Sequence, residues 1–311
     1  MRLLIVGAGS TGGWLGVRLV EAGADVTFLT RPARAAQLRR DGLRLSSPFG
    51  DATLQPKVVV ASEIDAPYDA VILTVKGFQL DAAIDDIAAA VGPETMILTV
   101  LNGMRHMDAL ARRFPASNLV GCLLKVSTLI EDDGRIVQLS TLQELVYGEL
   151  DGTPSPRILA FNAAVKPAAI GARLSDAIRR EMWEKRVLLA SRGAITCLMR
   201  GSIGEIEACA GGAEFERAVL EEVLAVVRAV GVPPSETFVA AARAQLTAKG
   251  SPFASSMFRD LERGRPVEVD AIIGDLLARG AGAGIATPLL SAANVHLQAY
   301  RARLAPGSTA P

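Results

Sequence analysis

The chain opens on a short apolar run, Leu3-Leu4-Ile5-Val6, that stops at once in Gly-Ala-Gly-Ser-Thr-Gly-Gly. Gly7, Gly9 and Gly12 stand in G-x-G-x-x-G spacing. In that spacing the first glycine permits a tight turn, the second lets backbone approach a pyrophosphate, and the third lets helix and strand pack closely. The helix that follows, Thr11 to Glu21 by its periodicity, offers unpaired N–H groups to the phosphates. Glycines in this order are weak evidence alone; after a strand and before a helix they are much stronger. Gly7, Ala8, Gly9, Ser10, Thr11 and Gly12 are therefore read as a dinucleotide cradle, with a purely structural turn as the alternative. Such a loop commits the N-terminal part of the chain to a βαβ fold.

The rest of the first half agrees. DVTFLT (25–30) reads as a strand, 32–40 as a basic helix, and 47–50 as a hairpin-like turn. DAVILTV (69–75) and TMILTV (95–100) are nearly continuous in apolar residues, as parallel strands covered on both faces should be. Segments 120–130, 135–140 and 144–150 read as further strands, antiparallel at an edge. From about Leu174 helical spacing dominates, over 175–200, 214–230, 235–248, 254–263, 267–280 and 288–304. The expected class is α/β, a doubly wound N-terminal Rossmann sheet followed by an all-helical C-terminal domain. The expected division is 1–172 for the nucleotide domain, 173–305 for the helical substrate or dimerisation domain, and 306–311 as a disordered tail.

Composition narrows the chemistry. With 33 basic and 33 acidic residues, the chain carries no electrostatic footprint for nucleic acid or an anionic membrane surface. No apolar stretch approaches the roughly 18 residues of a membrane span. The cysteines, Cys122, Cys197 and Cys209, are scattered and odd in number, which suggests a reducing compartment, a cytoplasmic location and no metal site. Only His106 and His296 are histidines, so proton transfer falls to lysine or a carboxylate.

The end of the second strand bears on the cofactor. An NAD enzyme usually places an acid there for the ribose 2′-hydroxyl. Here Thr30 ends the strand, and Arg31 and Arg34 follow. Arginine makes charge-assisted bonds to a 2′-phosphate, so the expected cofactor is NADPH. The alternative is a pair of solvated charges at a helix start.

Two strands end in polar clusters, VKGFQ at 75–79 and LNGM at 101–104, where ligands of such sheets bind. With the GAGSTGG loop and Arg31, the WEK segment at 183–185 and SSMFRDLERGRPVEVD at 255–270, they complete a pattern that resembles the ketopantoate reductases (2-dehydropantoate 2-reductases). The resemblance covers nearly the whole chain. It implies an NADPH-binding Rossmann domain, a helical domain, an active site between them, and reduction of ketopantoate to pantoate in pantothenate biosynthesis. It makes Lys185 the lysine that protonates the developing alkoxide, and Glu268 a residue that assists it or orients substrate. It places Asn102 near nicotinamide and substrate, Lys76 near the cofactor, and Ser256 at the substrate carboxylate.

Plain explanations stand beside these roles. Lys185 could snorkel from the edge of a buried face. Ser255 or Ser256 could cap a helix beginning at Met257. Glu268 and Asp270 could complement a helix dipole just past Pro266.

The pattern breaks on the lysine helix. The family usually presents asparagines four and eight residues beyond the lysine, and here these are Leu189 and Gly193. Ser191, Arg192 and Thr196 lie close by, in what reads as a less suitable helical phase. The expectation is an NADPH-dependent 2-oxo acid reductase whose substrate is more apolar than ketopantoate. The alternatives are a related dehydrogenase acting on a phosphorylated substrate, with Arg186 and Arg192 as its cations, or a catalytically silent NADP-binding sensor. The apolar helices could also form a homodimer interface.

Overall fold

The computed structural model describes residues 1–304; the expected tail at 306–311 lies outside the described residues. Two compact units form, one from residues 1–101 and 106–178, the other from 102–105 and 179 onward.

The first unit carries strands β1 (Arg2–Val6), β2 (Asp25–Leu29), β3 (Leu43–Ser46), β4 (Ala52–Leu54), β5 (Lys57–Val59), β6 (Ala70–Leu73), β7 (Met96–Thr99), β8 (Val120–Ile130), β9 (Ile136–Glu149) and β10 (Arg173–Leu174). Its helices are α1 (Ser10–Glu21), α2 (Pro32–Asp41), α3 (Leu80–Asp86), most of α4 (Arg105–Arg113) and α5 (Pro156–Val165). The main sheet is parallel, in the order β5-β2-β1-β6-β7. Helical crossovers bury both faces of β1, and Leu3, Leu4 and Ile5 have no exposed surface. Strand order reverses at β1, with β2 on one side and β6 on the other, so the glycine loop leaves the sheet at its switch point.

A second sheet contains β10-β9-β3-β4, with β8 paired antiparallel to β9. The two strands expected at 135–140 and 144–150 are one element, β9, whose register against β8 slips between Val126 and Thr128. Helix α1 is tied to this sheet by Trp14, whose indole N–H donates to Gln138 at 2.8 Å in a buried site. Helix α5 was not anticipated, although its signal is present. Ser155 accepts a hydrogen bond from the Ile158 amide, and Pro156 opens the first turn.

The division between units falls after Ile178 rather than after Ala172. Arg173 and Leu174 pair with Val146 and Tyr147, and the Ser175 amide donates to the Tyr147 carbonyl at 2.8 Å. These backbone bonds hold the segment to the first unit.

The second unit is helical: α6 (Ile178–Met199, which starts in the first unit), α7 (Ile203–Glu207), α8 (Gly212–Val230), α9 (Glu236–Leu246), α10 (Ser256–Glu262), α11 (Asp275–Gly282) and α12 (Pro288–Leu304). Helix α6 has 22 residues, a length of roughly 33 Å. It buries Val187, Ala190, Ala194, Ile195 and Cys197 against a core shared with Val219, Val223 and Val227 of α8 and Leu290 and Leu297 of α12. Helix α7, also unanticipated, begins at Ser202, whose amide and hydroxyl both donate to Glu205 at 2.7 Å. The single helix expected over 267–280 instead starts with a π-turn, Asp270–Gly274, before α11. No helix among the described residues is long and apolar enough to cross a membrane.

Candidate active site

In the first unit the loop after β1 has the shape that a pyrophosphate needs. Gly7 adopts φ +98°, a conformation that side chains rarely tolerate, and a Cβ on Gly9 would meet nothing within 4 Å. Helix α1 has no side-chain cap and no acid in its first turn, so its leading N–H groups face no competing oxygen from a capping residue. Gly12 lies so close to the sheet that a Cβ would come within 2.0 Å of the Gly7 carbonyl and 2.1 Å of Thr74 Oγ1. Arg34 donates from Nε and Nη2 to the Ala8 carbonyl at 3.3 and 3.1 Å, which fastens α2 to the loop. Arg31 is exposed at the N-cap of α2, and the buried Thr30 occupies the position where an acid would stand. Lys76 is exposed beyond β6, with its amide donating to the Gln79 side chain at 3.3 Å. The loop and the bare helix start fit a dinucleotide, with Arg34 engaged by Ala8 and Gln37 and Arg31 left exposed.

The second unit holds the other predicted residues. Lys185 is partly buried on α6. Its neighbour Arg186 is 2% exposed, donating to the Ala271 carbonyl at 3.2 Å and to Asp275 at 2.8 Å. This buried ion pair fixes the front of α6 against the π-turn. Gly103, at φ +90°, packs into the same corner, where a Cβ would sit 2.5 Å from the Ala271 carbonyl and 2.9 Å from Arg186. Next to it, the Asn102 amide reaches the Glu268 carboxylate at 3.4 Å, a long contact that still brings together two residues 166 positions apart. Asn102 therefore belongs to the helical unit, not to the Rossmann unit in which it was expected.

Ser255 and Ser256 have separate places. Ser255 is buried, accepts from the Phe258 amide at 2.9 Å, and lies 2.9 Å from Thr196 Oγ1 on α6. It is the cap, and it sets the distance between α10 and α6. Ser256 is exposed in the first turn and spared from capping.

The face of α6 beyond Lys185 differs from the expectation. Position 193 is filled from outside: a Cβ there would lie 2.9 Å from Met257 Cε, so apolar α10 occupies the space an asparagine would need. Leu189 is partly buried and brings no polar atom. Arg192 and Thr196, expected in a less suitable phase, share the face of Lys185. At about 100° per residue, positions seven and eleven beyond Lys185 return to within about 20° of it, closer than positions four and eight. Thr196 is taken up by Ser255, whereas Arg192 has no carboxylate partner among the described residues. Counting turns rather than copying the family spacing would have found it.

The comparisons with known proteins decide the family. The N-terminal ketopantoate reductase model (Ketopantoate reductase PanE/ApbA) matches residues 3–152, and its C-terminal counterpart matches 177–301. The chain belongs to the ketopantoate reductase family. It is 32% identical to the uncharacterized oxidoreductase YkpB of Bacillus subtilis, over 97% of this chain and 99% of that one. A solved 2-dehydropantoate 2-reductase of Geobacter metallireducens is 30% identical with a TM-score of 0.83, covering 96% of this chain and 99% of its own. A D-mandelate dehydrogenase solved with NADH and anilino(oxo)acetate shares the fold, at TM-score 0.84 and 20% identity over 98% of this chain and 99% of its own. This ketopantoate reductase relative is thus an oxidoreductase with a parallel N-terminal sheet and a helical C-terminal half.

Proposed function

We propose that this oxidoreductase uses NADPH to reduce a 2-oxo acid to a 2-hydroxy acid. The observation that carries the reading is the corner of the helical unit where Asn102 meets Glu268 beside the Arg186–Asp275 pair that anchors the Lys185 turn. When bound, NADPH supplies the hydride. Three tasks remain for the chain: polarising the carbonyl, delivering a proton, and holding the carboxylate. Lys185 performs the first two, since an ammonium both stabilises charge on the carbonyl oxygen and donates the proton that completes the hydroxyl. Ser256, with its hydroxyl not used as a cap, binds the carboxylate. Glu268 and Asn102 hold each other and orient the lysine and substrate. Arg31 and Arg34 beside the Gly7–Gly12 loop support NADPH over NADH.

With Leu189 and Gly193 in place of asparagines, a ketopantoate hydroxyl would find no partner there, at a cost of about 1–3 kcal/mol for each bond lost. The experiment is steady-state oxidation of NADPH and NADH with a panel of 2-oxo acids that includes ketopantoate. Lys185→Ala is expected to lower kcat at least a hundredfold on every substrate, with cofactor affinity kept. Arg31→Ala is expected to weaken NADPH and leave NADH little changed. An Arg31→Ala protein that kept full NADPH preference would remove the cofactor assignment, and a catalytically silent chain that binds NADPH would leave the sensor alternative.

A further inference from the structure

Arg192 stands out among the buried cations. Arg186 is neutralised by Asp275 at 2.8 Å, Arg157 by Glu149 at 2.7 Å and Arg18 by Glu21 at 2.8 Å, while Arg34 gives its donors to the Ala8 carbonyl and the Gln37 side chain. Arg192 is mostly buried, and its Nε has no surface and no hydrogen-bond partner among the described residues. Its guanidinium lies 5.7 Å from the ring centre of Phe253, which is 54% exposed. Burial pushes the guanidinium down from its usual range, and the neighbouring charge it feels is another cation, Arg259. Arg259 donates to the Ala254 carbonyl at 3.1 Å, so the 253–254 segment carries both the ring and the anchor of the second arginine. Two neighbouring arginines, neither in an ion pair among the described residues, form an arrangement that an anion completes.

Resting on the reductase reading above, we infer that Arg192, with Arg259 beside it and Phe253 as a flanking ring, binds a second anionic group of the substrate, which is therefore a 2-oxo dicarboxylic acid. Arg192 and Lys185 share one face of α6, about 10 Å apart along the axis for seven residues. Allowing roughly 3 Å for a hydrogen bond at each end leaves about 4–5 Å between carbonyl oxygen and distal carboxylate. Two or three methylene groups span that distance. Where the family presents asparagines to a neutral hydroxyl, this chain presents an arginine, whose planar fork suits a carboxylate. The result is a specificity for acidic side chains, in place of the more apolar substrate that Leu189 and Gly193 alone suggest.

The test compares 2-oxoglutarate and 2-oxoadipate with 2-oxopentanoate and ketopantoate, in the full-length protein and in Arg192→Leu and Arg192→Lys. The wild type is expected to prefer the dicarboxylates, and the ratio of kcat/KM for dicarboxylate over monocarboxylate should fall at least tenfold in Arg192→Leu. Arg192→Lys keeps the charge but not the fork, and should give a smaller fall in the same direction. Glutarate binding, measured by calorimetry with NADP⁺ present, supplies a readout free of turnover and should weaken at least tenfold in Arg192→Leu. Thermal unfolding of both variants shows whether a loss reflects recognition or folding, and Arg259→Gln repeats the test from the other arginine. Turnover of monocarboxylates, with a ratio and a glutarate affinity that ignore Arg192, overturns the site and leaves the reductase reading intact. Arg192-dependent glutarate binding without turnover of any 2-oxo acid does the reverse.

Discussion

Glu216, on α8, is a carboxylate in the wrong place for a surface helix: fully buried, with neither oxygen hydrogen-bonded among the described residues. Burial, and then the nearby Glu207, push it up to about 7 from the ordinary 4.5. Between those values the folded chain keeps a proton that the unfolded chain has lost. Stability from this group is therefore full below about pH 4.5, declines as pH rises toward 7, and is flat above that. Glu216→Gln stays neutral throughout. It should match the wild type at pH 4.5 and exceed it at pH 8, as read from urea midpoints at both values. A difference between the two proteins that did not change with pH would mean the carboxylate is hydrated. Helical spacing puts Glu216 on the apolar face of α8, three, four and seven residues before Val219, Leu220 and Val223, but that both its oxygens lack a hydrogen-bond partner among the described residues emerges only from the packing of α8. Arg192 was hidden for a similar reason. Its charge was visible, but the lack of a partner is a property of the folded unit. The glycine loop, by contrast, was legible residue by residue, since its constraints are local.

Among the elements, the junction of β1, α1 and β6 shows how a contact can outweigh a propensity. In a helix interior alanine is better than glycine by about 1 kcal/mol, so propensity alone predicts that Gly12→Ala stabilises α1. The added methyl would lie 2.0 Å from the Gly7 carbonyl and 2.1 Å from Thr74 Oγ1. Thr74 cannot turn away cheaply, because its hydroxyl donates to the Val6 and Gly7 carbonyls at 2.8 Å each. Overpacking of this kind costs about 1–3 kcal/mol, so Gly12→Ala should lower stability and weaken NADPH binding at least tenfold. Urea denaturation and a fluorescence titration measure the two effects, and a stabilised variant with unchanged affinity would contradict the packing argument. Apolar runs made β1, β2, β6 and β7 readable, and periodicity did the same for α8 and α12. Short α7 and α5 escaped because caps define them more than periodicity does. The π-turn at Asp270–Gly274 escaped because one backbone shift leaves the side-chain pattern almost unaltered.

At the scale of the whole molecule, a two-part plan was plain from the switch between βαβ texture and helical texture near Leu174. The membership of Asn102–Arg105 was not, since the segment follows a strand in sequence yet packs with residues far along the chain. That insertion has a consequence for recombination. A crossover placed anywhere between residues 105 and 178 would look like a clean exchange of halves between two relatives. It would nevertheless part Asn102 from its native Glu268 and Gly103 from its native Arg186. Hybrids that inherit the tetrapeptide from the same parent as the helical half should keep more turnover than hybrids of identical composition elsewhere that do not. Measured on matched pairs of such hybrids, equal activity would show that the tetrapeptide is interchangeable. For anyone breeding new specificities into this chain, the unit of inheritance is the helical half together with four residues borrowed from the other.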